Sequence, residues 1–191
     1  MSSSNTLQKA VFIDRDGVIN KEVNYLYKIE DFKFIDGVID ACKQYQDAGF
    51  ALIIITNQAG IGRGYYTEAQ FQELTDWMLK AFAGKGVNIT HVYFCPHHKK
   101  EGLPPYNIDC ECRKPKPGMI LQAQKDHGIN LSQSILFGDK VSDVQAGINA
   151  GIGVNVLVES GHEYTQDDAK LAHKVMPTLQ FMLPETLKKS D

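Results

Sequence analysis

Two carboxylates one residue apart, Asp14 and Asp16, follow an apolar run over residues 11–13 and precede Gly17. The run is continuous rather than alternating, which is typical of a strand buried on both faces of a parallel sheet. Such sheets place their chemistry just beyond the carboxyl ends of their strands. Two acids at that position can divide the work, one as nucleophile or metal ligand and the other as proton donor. Taken alone, the segment is equally compatible with a solvated Asp-Arg-Asp loop.

Two further strand ends carry polar groups that favour the catalytic interpretation. A second apolar run, residues 51–55, ends in a hydroxyl and two amides that can donate hydrogen bonds to an anionic oxygen. These donors are Thr56, Asn57 and Gln58. A third run, residues 134–137, leads to Asp139, where a divalent cation could be held. Between these runs, Arg113 and Lys114 form a cationic stretch before a predicted helix.

Strand and helix patterns alternate along the chain, which predicts an α/β fold with a Rossmann-like parallel sheet and helices on both faces, in three layers. Helices are predicted over residues 38–48, 67–84, 117–127 and 142–150, and further strands over residues 90–94 and 153–158. Thr67-x-x-Gln70 indicates a capping box at the second helix. Apolar residues at helical spacing over residues 178–187 predict that the tail docks on the sheet. Since no long linker interrupts the pattern, residues 1–191 are expected to form a single domain.

Composition places the chain among compact proteins. It has 191 residues, of which 43% are hydrophobic, and this length is near that of one domain. Its net charge of −3 argues against nucleic acid as a partner. The polar start is unlike a signal peptide, and no apolar run approaches the roughly 20 residues that span a bilayer. We therefore expect a cytoplasmic monomer without membrane contact.

Three of the four cysteines fall in one window, residues 95–112, beside a histidine. Clustered Cys and His in a cytoplasmic chain more often bind metal than form disulfides. The set of Cys95, His97, Cys110 and Cys112 offers the tetrahedral ligands of structural zinc, which would pin the loop that precedes Arg113 and Lys114. His98 is a competing ligand, and free thiols on a mobile loop are the alternative. Cys42, on a predicted helix face, is expected in the core.

The acid pair, Thr56, Lys114 and the distal acids, in that order, resemble the four motifs of the haloacid dehalogenase-like phosphatases. The resemblance extends from about Val11 to about Val158. Within that superfamily, Cys-x-His followed by Cys-x-Cys-Arg-Lys-Pro-x-Pro-Gly is similar to the group of heptose bisphosphate and histidinol phosphate phosphatases, which lack a large cap domain. Residues 22–25 and the long loop between His97 and Cys110 bring it nearer the heptose branch.

The resemblance implies a Mg2+-dependent phosphatase with an aspartyl-phosphate intermediate. Asp14 would be the nucleophile and Asp16 the acid and base, while Thr56 and Lys114 would hold the phosphoryl oxygens. Mg2+ would be bound by Asp14, Asp139 and the backbone carbonyl of Asp16. Expected substrate-binding residues are Glu22, Asn24, Tyr25, Asn57, Gln58, Arg113 and Lys140. The expected substrate is a sugar bisphosphate, heptose 1,7-bisphosphate losing its C7 phosphate to supply nucleotide-activated heptose; histidinol phosphate is the alternative.

Two charged residues keep two interpretations each. Asp143 can bind a metal-bound water or cap the helix that follows. Arg63 can reach a distal phosphate or remain a solvated loop cation. Lys140 is expected to neutralise excess negative charge beside Asp14 and Asp139.

A non-catalytic, zinc-stapled binding protein on the same scaffold is the third functional hypothesis, and the presence of all four motifs argues against it.

Overall fold

The computed structural model describes residues 7–182, and its core is one six-stranded sheet. The strands are β1 (Ala10–Ile13), β2 (Ala51–Asn57), β3 (His91–Cys95), β4 (Ile135–Gly138), β5 (Val154–Val158) and β6 (Lys174–Met176). Their order across the sheet is β3-β2-β1-β4-β5-β6, and every pairing is parallel. The central position of β1 explains why its residues are continuously apolar.

Helices connect consecutive strands. They are α1 (Val38–Asp47), α2 (Ala59–Gly62), α3 (Glu68–Ala83), α4 (Gly118–His127), α5 (Val141–Ala150) and α6 (Gln166–Leu171). Short 3-10 turns occupy Ile29–Asp31 and Leu131–Gln133. Within the described residues, no cap domain interrupts this order; the long connection between β3 and α4 is the cysteine-containing insert. Among these same residues, no helix combines the length and apolar character needed to cross a membrane.

Alternating residues of β1 enter two different cores, which confirms the predicted three layers. Val11 and Ile13 belong to a cluster that includes Cys42 of α1 and Met78 of α3. Phe12 belongs to the opposite cluster, with residues of α4 and α5. Because successive side chains of a strand point to opposite faces, one central strand anchors helices on both sides of the sheet.

The predicted helix boundaries are confirmed to within a few residues. At the start of α3, the Gln70 N–H donates to Thr67 Oγ1 at 3.2 Å, and the Thr67 N–H donates to Gln70 Oε1 at 2.9 Å, which is the predicted capping box. Three elements were not predicted: α2, α6 and β6 have four, six and three residues, respectively. Segments this short show too few turns or alternations for periodicity to reveal them.

The end of the described chain docks on the fold without a helix. Leu179 is buried, and the Phe181 ring packs on the Tyr45 ring with centroids 4.9 Å apart. The Tyr45 hydroxyl donates to the Gln180 carbonyl at 3.0 Å. Residues 178–182 are irregular, and the rest of the segment predicted to dock, through residue 187, lies outside the described residues.

Candidate active site

A buried lysine joins two carboxylates at the carboxyl edge of the sheet. Asp14 directly follows β1, and Lys114 enters from the segment before α4. Lys114 Nζ lies 3.0 Å from Asp14 Oδ1 and 2.6 Å from Asp143 Oδ1, and it donates to the Ile55 carbonyl at 3.0 Å. All three charged side chains are at least nine-tenths buried. The three side chains of this triad have therefore lost nearly all contact with water, and each is compensated by a partner of opposite charge at a fixed position.

Burial and charge act in opposite directions within this triad. Burial raises the pKa of Asp14 to about 6, and Lys114 opposes that shift. Burial alone would lower the pKa of Lys114, but the Asp14 and Asp143 carboxylates raise it above its usual value. Lys114 thus stays charged at neutral pH and keeps positive charge beside Asp14. Such an arrangement suits a nucleophile that must approach an anionic group.

Asp16 is fixed by three side chains that donate hydrogen bonds to its carboxylate. The buried Arg15 guanidinium contacts it through Nε to Oδ1 at 3.2 Å and Nη2 to Oδ2 at 2.9 Å. Asn20 Nδ2 donates to Oδ1 at 3.1 Å, and Gln58 Nε2 donates to Oδ2 at 3.0 Å. We did not predict Arg15 or Asn20 from the sequence. The position of Arg15 between two acids was the available signal.

The polar residues that follow the apolar part of β2 have different partners. Thr56 is buried, and its hydroxyl accepts from Gln58 Nε2 at 2.8 Å. Gln58 also accepts a hydrogen bond from the Tyr66 hydroxyl. Asn57 pairs with the main chain of Lys114: its Nδ2 donates to the Lys114 carbonyl at 3.2 Å, and the Lys114 N–H donates to its Oδ1 at 3.1 Å. Asn57 therefore positions the lysine that reaches Asp14.

Asp139 follows β4 and is completely buried against glycine backbone. A Cβ at Gly17 or Gly161 would overlap its carboxylate. Its Oδ2 accepts from the His162 N–H at 3.1 Å and lies 2.5 Å from His162 Nδ1, whereas its Oδ1 has no hydrogen-bond partner. We did not predict His162; its place shortly after β5, at the same edge of the sheet, was the signal.

Asp139, which has one unpartnered oxygen, belongs to a group of acids that fits a hard cation. Carboxylate oxygens of Asp14, Asp139 and Asp143 lie within 4.8 Å of one another. Burial raises the pKa of Asp139, and the Asp14 charge raises it further. A buried oxygen without a partner is costly, and Mg2+ prefers carboxylate oxygens. The donor set therefore fits the expected Mg2+.

Asp143 bonds back to the start of α5 and pairs with the lysine. Its Oδ2 accepts the Lys140 N–H at 3.0 Å at the start of α5, while Oδ1 contacts Lys114. Asp143 is thus the third residue of α5 and bonds back to the N-cap residue, which is Lys140; the prediction that Asp143 is itself the N-cap is wrong. Close packing against Gly138, where a Cβ would overlap the Asp143 side chain, fixes this geometry.

A cavity of about 510 Å3 opens over these groups. Its lining includes every residue predicted for catalysis or substrate binding: Asp14, Asp16, Glu22, Asn24, Tyr25, Thr56, Asn57, Gln58, Arg113, Lys114 and Lys140. It also includes residues that we left undecided or did not predict: Arg63, Tyr66, Asp143 and His162. Burial raises the pKa of Glu22, and the Asp16 charge acts in the same direction. The cavity is thus lined by charges of both signs.

The predicted zinc ligands form a compact cluster beside the cavity. Cys112 Sγ lies 2.9 Å from Cys95 Sγ and 3.2 Å from Cys110 Sγ, and His97 Nδ1 lies 3.4 Å from Cys112 Sγ. The contact between the Cys95 and Cys112 thiols lowers the pKa of Cys112 and raises that of Cys95, so a metal ion bound by both would displace the proton that they share. His98 is not part of this group; it contacts Glu101. The cluster can hold a metal ion.

The cluster is linked to the cavity through Arg113. Its Nη1 donates to the carbonyl of His97 at 3.2 Å, and it directly follows Cys112 in the chain. The insert therefore ends at two of the cationic residues that line the cavity, Arg113 and Lys114. If the cluster is held in one conformation, Arg113 and Lys114 are consequently held in place as well.

Comparison with known proteins gives consistent matches. A family model described as HAD-hydrolase-like matches residues 111–181. D-glycero-beta-D-manno-heptose-1,7-bisphosphate 7-phosphatase of Yersinia pestis is 46% identical over 94% of this chain and 95% of its own. D-glycero-alpha-D-manno-heptose-1,7-bisphosphate 7-phosphatase of Photorhabdus laumondii is 54% identical over 81% of this chain and 84% of its own.

A solved structure agrees with these relatives. D,D-heptose 1,7-bisphosphate phosphatase from B. bronchiseptica, complexed with magnesium and phosphate, has a TM-score of 0.75 and 27% identity, covering 90% of this chain and 93% of that one. The fold, the site and these matches define a phosphatase of the haloacid dehalogenase-like class. The chain belongs, within that class, to the family of heptose-1,7-bisphosphate 7-phosphatases.

Proposed function

We propose that the chain removes the C7 phosphate of D-glycero-D-manno-heptose 1,7-bisphosphate in a Mg2+-dependent reaction, leaving heptose 1-phosphate. The observation that carries the chemistry is the buried Asp14 beside the charged Lys114, at the base of a cavity with Asp16. The substrate class is supported by relatives that share 43–54% identity with the chain.

Asp14 is the nucleophile in this proposal. Its carboxylate oxygen attacks the C7 phosphorus and the bond from phosphorus to the sugar oxygen breaks, which leaves an aspartyl phosphate. Lys114 and the Thr56 hydroxyl hold the phosphoryl oxygens, on which charge spreads during transfer. Asp14, Asp139 and the main-chain carbonyl of Asp16 would hold Mg2+, which supplies positive charge against the repulsion between carboxylate and phosphate.

Asp16 is the general acid and then the general base. It gives its proton to the departing sugar alkoxide and then accepts a proton from the water that attacks the aspartyl phosphate. Phosphate is released and the Asp14 carboxylate is restored. Arg15, Asn20 and Gln58 hold the Asp16 carboxylate in one orientation through both steps.

The sugar and its second phosphate would be bound by the remaining polar residues of the cavity. These are Glu22, Asn24, Tyr25, Asn57, Gln58, Arg113 and Lys140. Arg113 offers a planar fork that suits phosphate oxygens. Asn57 contributes by holding the Lys114 main chain, and Gln58 by holding Asp16 and Thr56.

Structural zinc is proposed at Cys95, His97, Cys110 and Cys112, where four donors leave no coordination position for chemistry. We further propose that residues 1–191 act as one domain and a cytoplasmic monomer on this small molecule, without nucleic acid or membrane as a partner. None of the four cysteines, all of which lie in the described part of the chain, forms a disulfide, as in proteins of a reducing compartment.

Phosphate release from a panel of substrates tests the proposal. The panel holds both anomers of heptose 1,7-bisphosphate, histidinol phosphate and fructose 1,6-bisphosphate, each with and without Mg2+. We expect the highest kcat/KM for a heptose bisphosphate, strict dependence on Mg2+, and no turnover by Asp14→Asn. A preference for histidinol phosphate would overturn the substrate and keep the mechanism, whereas turnover by Asp14→Asn would overturn the nucleophile.

A further inference from the structure

Arg63 lies at the end of α2 and lines the same cavity as Asp14. Its Nη1 donates to the Tyr25 hydroxyl, and its Nη2 pairs with Glu101 and lies 3.4 Å from His98 Nε2. Its Nε is shielded from solvent and has no hydrogen-bond partner. A guanidinium offers five donors in one plane, which is more than the contacts to Tyr25 and Glu101 use, and Arg63 lines the cavity.

Tyr25 is held in a costly conformation against this arginine. Its φ is 56°, in the left-handed region that a bulky residue seldom adopts. The Tyr65 ring lies edge-on at 4.5 Å, and the Arg63 guanidinium is 5.6 Å from the Tyr25 ring centroid. Such a conformation persists where surrounding contacts over-determine it, and it clusters at ligand sites. Tyr25 and Arg63 therefore form one ordered unit on the cavity wall.

The location and charge of this unit suit a second anionic group. Asp14 and Lys114 are buried, whereas Tyr25 is 40% exposed and the Glu101 side chain is 56% exposed, so Arg63 lies toward the mouth. The charge of Lys114 is matched by two buried carboxylates. An exposed carboxylate such as Glu101 holds a cation only weakly and can yield to a doubly charged ligand.

We propose that Arg63 is a specificity-determining residue that binds the phosphate the reaction does not cleave. Its fork, steadied by Tyr25, meets the distal phosphate at the mouth while the other phosphate lies at Asp14 and Lys114. This inference deepens and rests on the proposed function, because it requires a substrate with two phosphates. Arg63 would act beside Arg113, which lines the same cavity, and it adds to the selection of bisphosphates over monophosphates a residue outside the catalytic motifs.

The test compares matched pairs of substrates that differ by the distal phosphate alone. One pair is heptose 1,7-bisphosphate and heptose 7-phosphate; the other is fructose 1,6-bisphosphate and fructose 6-phosphate. The proteins are the wild type, Arg63→Gln, Arg63→Lys and, as a control, Lys100→Gln, which removes an exposed cation of the cysteine-containing insert. The measured quantity is the ratio of kcat/KM for bisphosphate to monophosphate.

We expect Arg63→Gln to lower kcat/KM for the bisphosphate by about ten- to a hundredfold, mostly through KM, the loss typical of a charge-assisted hydrogen bond. Turnover of the monophosphate and every value for Lys100→Gln should stay within about twofold, and Arg63→Lys should recover only part, because it lacks the fork. Equal losses of kcat/KM on both members of a pair would assign Arg63 a merely structural role and overturn the proposal. The proposal would also be overturned if Arg63→Gln caused no loss, or if the wild type preferred the bisphosphate in neither pair. If the wild type does not hydrolyse the heptose substrates but prefers fructose bisphosphate to fructose 6-phosphate, the proposed substrate is wrong. The ratio for the fructose pair then still tests the role of Arg63.

Discussion

Lys114 Nζ lies 3.0 Å from Asp14 Oδ1, and both side chains are almost wholly buried. A buried ion pair is a poor device for stability, because desolvation costs about as much as the charges gain. Such a pair at the base of a cavity is therefore better explained by chemistry than by folding. Lys114 also pairs with Asp143, whose other oxygen accepts the Lys140 N–H at the start of α5. The lysine thus connects the nucleophile to the start of that helix.

Replacement of this lysine should separate activity from stability. Lys114→Met is expected to lower kcat by at least roughly a hundredfold, because the phosphoryl oxygens lose their cation. It should also lower the free energy of unfolding by about 3–5 kcal/mol, since two buried carboxylates lose their partner. Adding Asp143→Asn should restore part of the stability measured by urea unfolding and none of the kcat. Full turnover by Lys114→Met would contradict the proposed role.

The raised pKa of Asp14 predicts that replacing this residue stabilises the fold, and that the size of this stabilisation depends on pH. With the pKa at about 6 in the fold and 3.8 as the ordinary value, the native state binds more protons between these limits, so stability falls as pH rises through them. Asp14→Asn should therefore raise the Tm of the Mg2+-free protein by a few degrees at pH 7.5 and by less at pH 4.5. The exposed Asp36→Asn is the control. A Tm difference that does not change with pH would argue against this effect of burial.

The two hydrogen bonds between Asn57 and the Lys114 main chain predict a positioning effect. Asn57→Ala should lower kcat roughly ten- to a hundredfold, because small displacements of a reacting group are costly. Asn149→Ala is a matched control, since Asn149 is an exposed amide that donates to the Pro115 carbonyl at 3.0 Å. The test is the kcat of both variants from steady-state kinetics. Similar losses of kcat would mean that Asn57 has no special role and that any hydrogen bond to the segment around Lys114 matters equally.

The cysteine cluster predicts a metal content that depends on particular thiols. Elemental analysis should find about one zinc ion per chain, because four donors complete a tetrahedral site. Cys110→Ser should lose most of the zinc, lower the Tm and raise KM through the loop that carries Arg113. Cys42→Ala, which alters a buried core thiol, should keep the zinc. Wild-type protein without zinc, or equal zinc loss in both variants, would refute the site.

The sequence predicted five of the six strands and most of the site, because both follow from strand patterns. Continuous apolar runs indicate buried parallel strands, and parallel strands bring their carboxyl ends together, so residues as distant as Asp14 and Asp139 could be assigned to one edge. The contact between Arg15 and Asp16 and that between His162 and Asp139 could not be predicted, since side-chain pairing depends on loop paths that have no periodicity. Asn57 illustrates the same limit: its location was predicted, but its partner, the Lys114 main chain, was not.

Phosphorus NMR of the products from heptose 1,7-bisphosphate tests the central claim most directly. With wild-type protein and Mg2+, the spectrum should show inorganic phosphate and heptose 1-phosphate in equal amounts, because the phosphate at C7 is transferred to Asp14 and then to water. Heptose 7-phosphate as the product, or no product while histidinol phosphate is hydrolysed, would contradict the account.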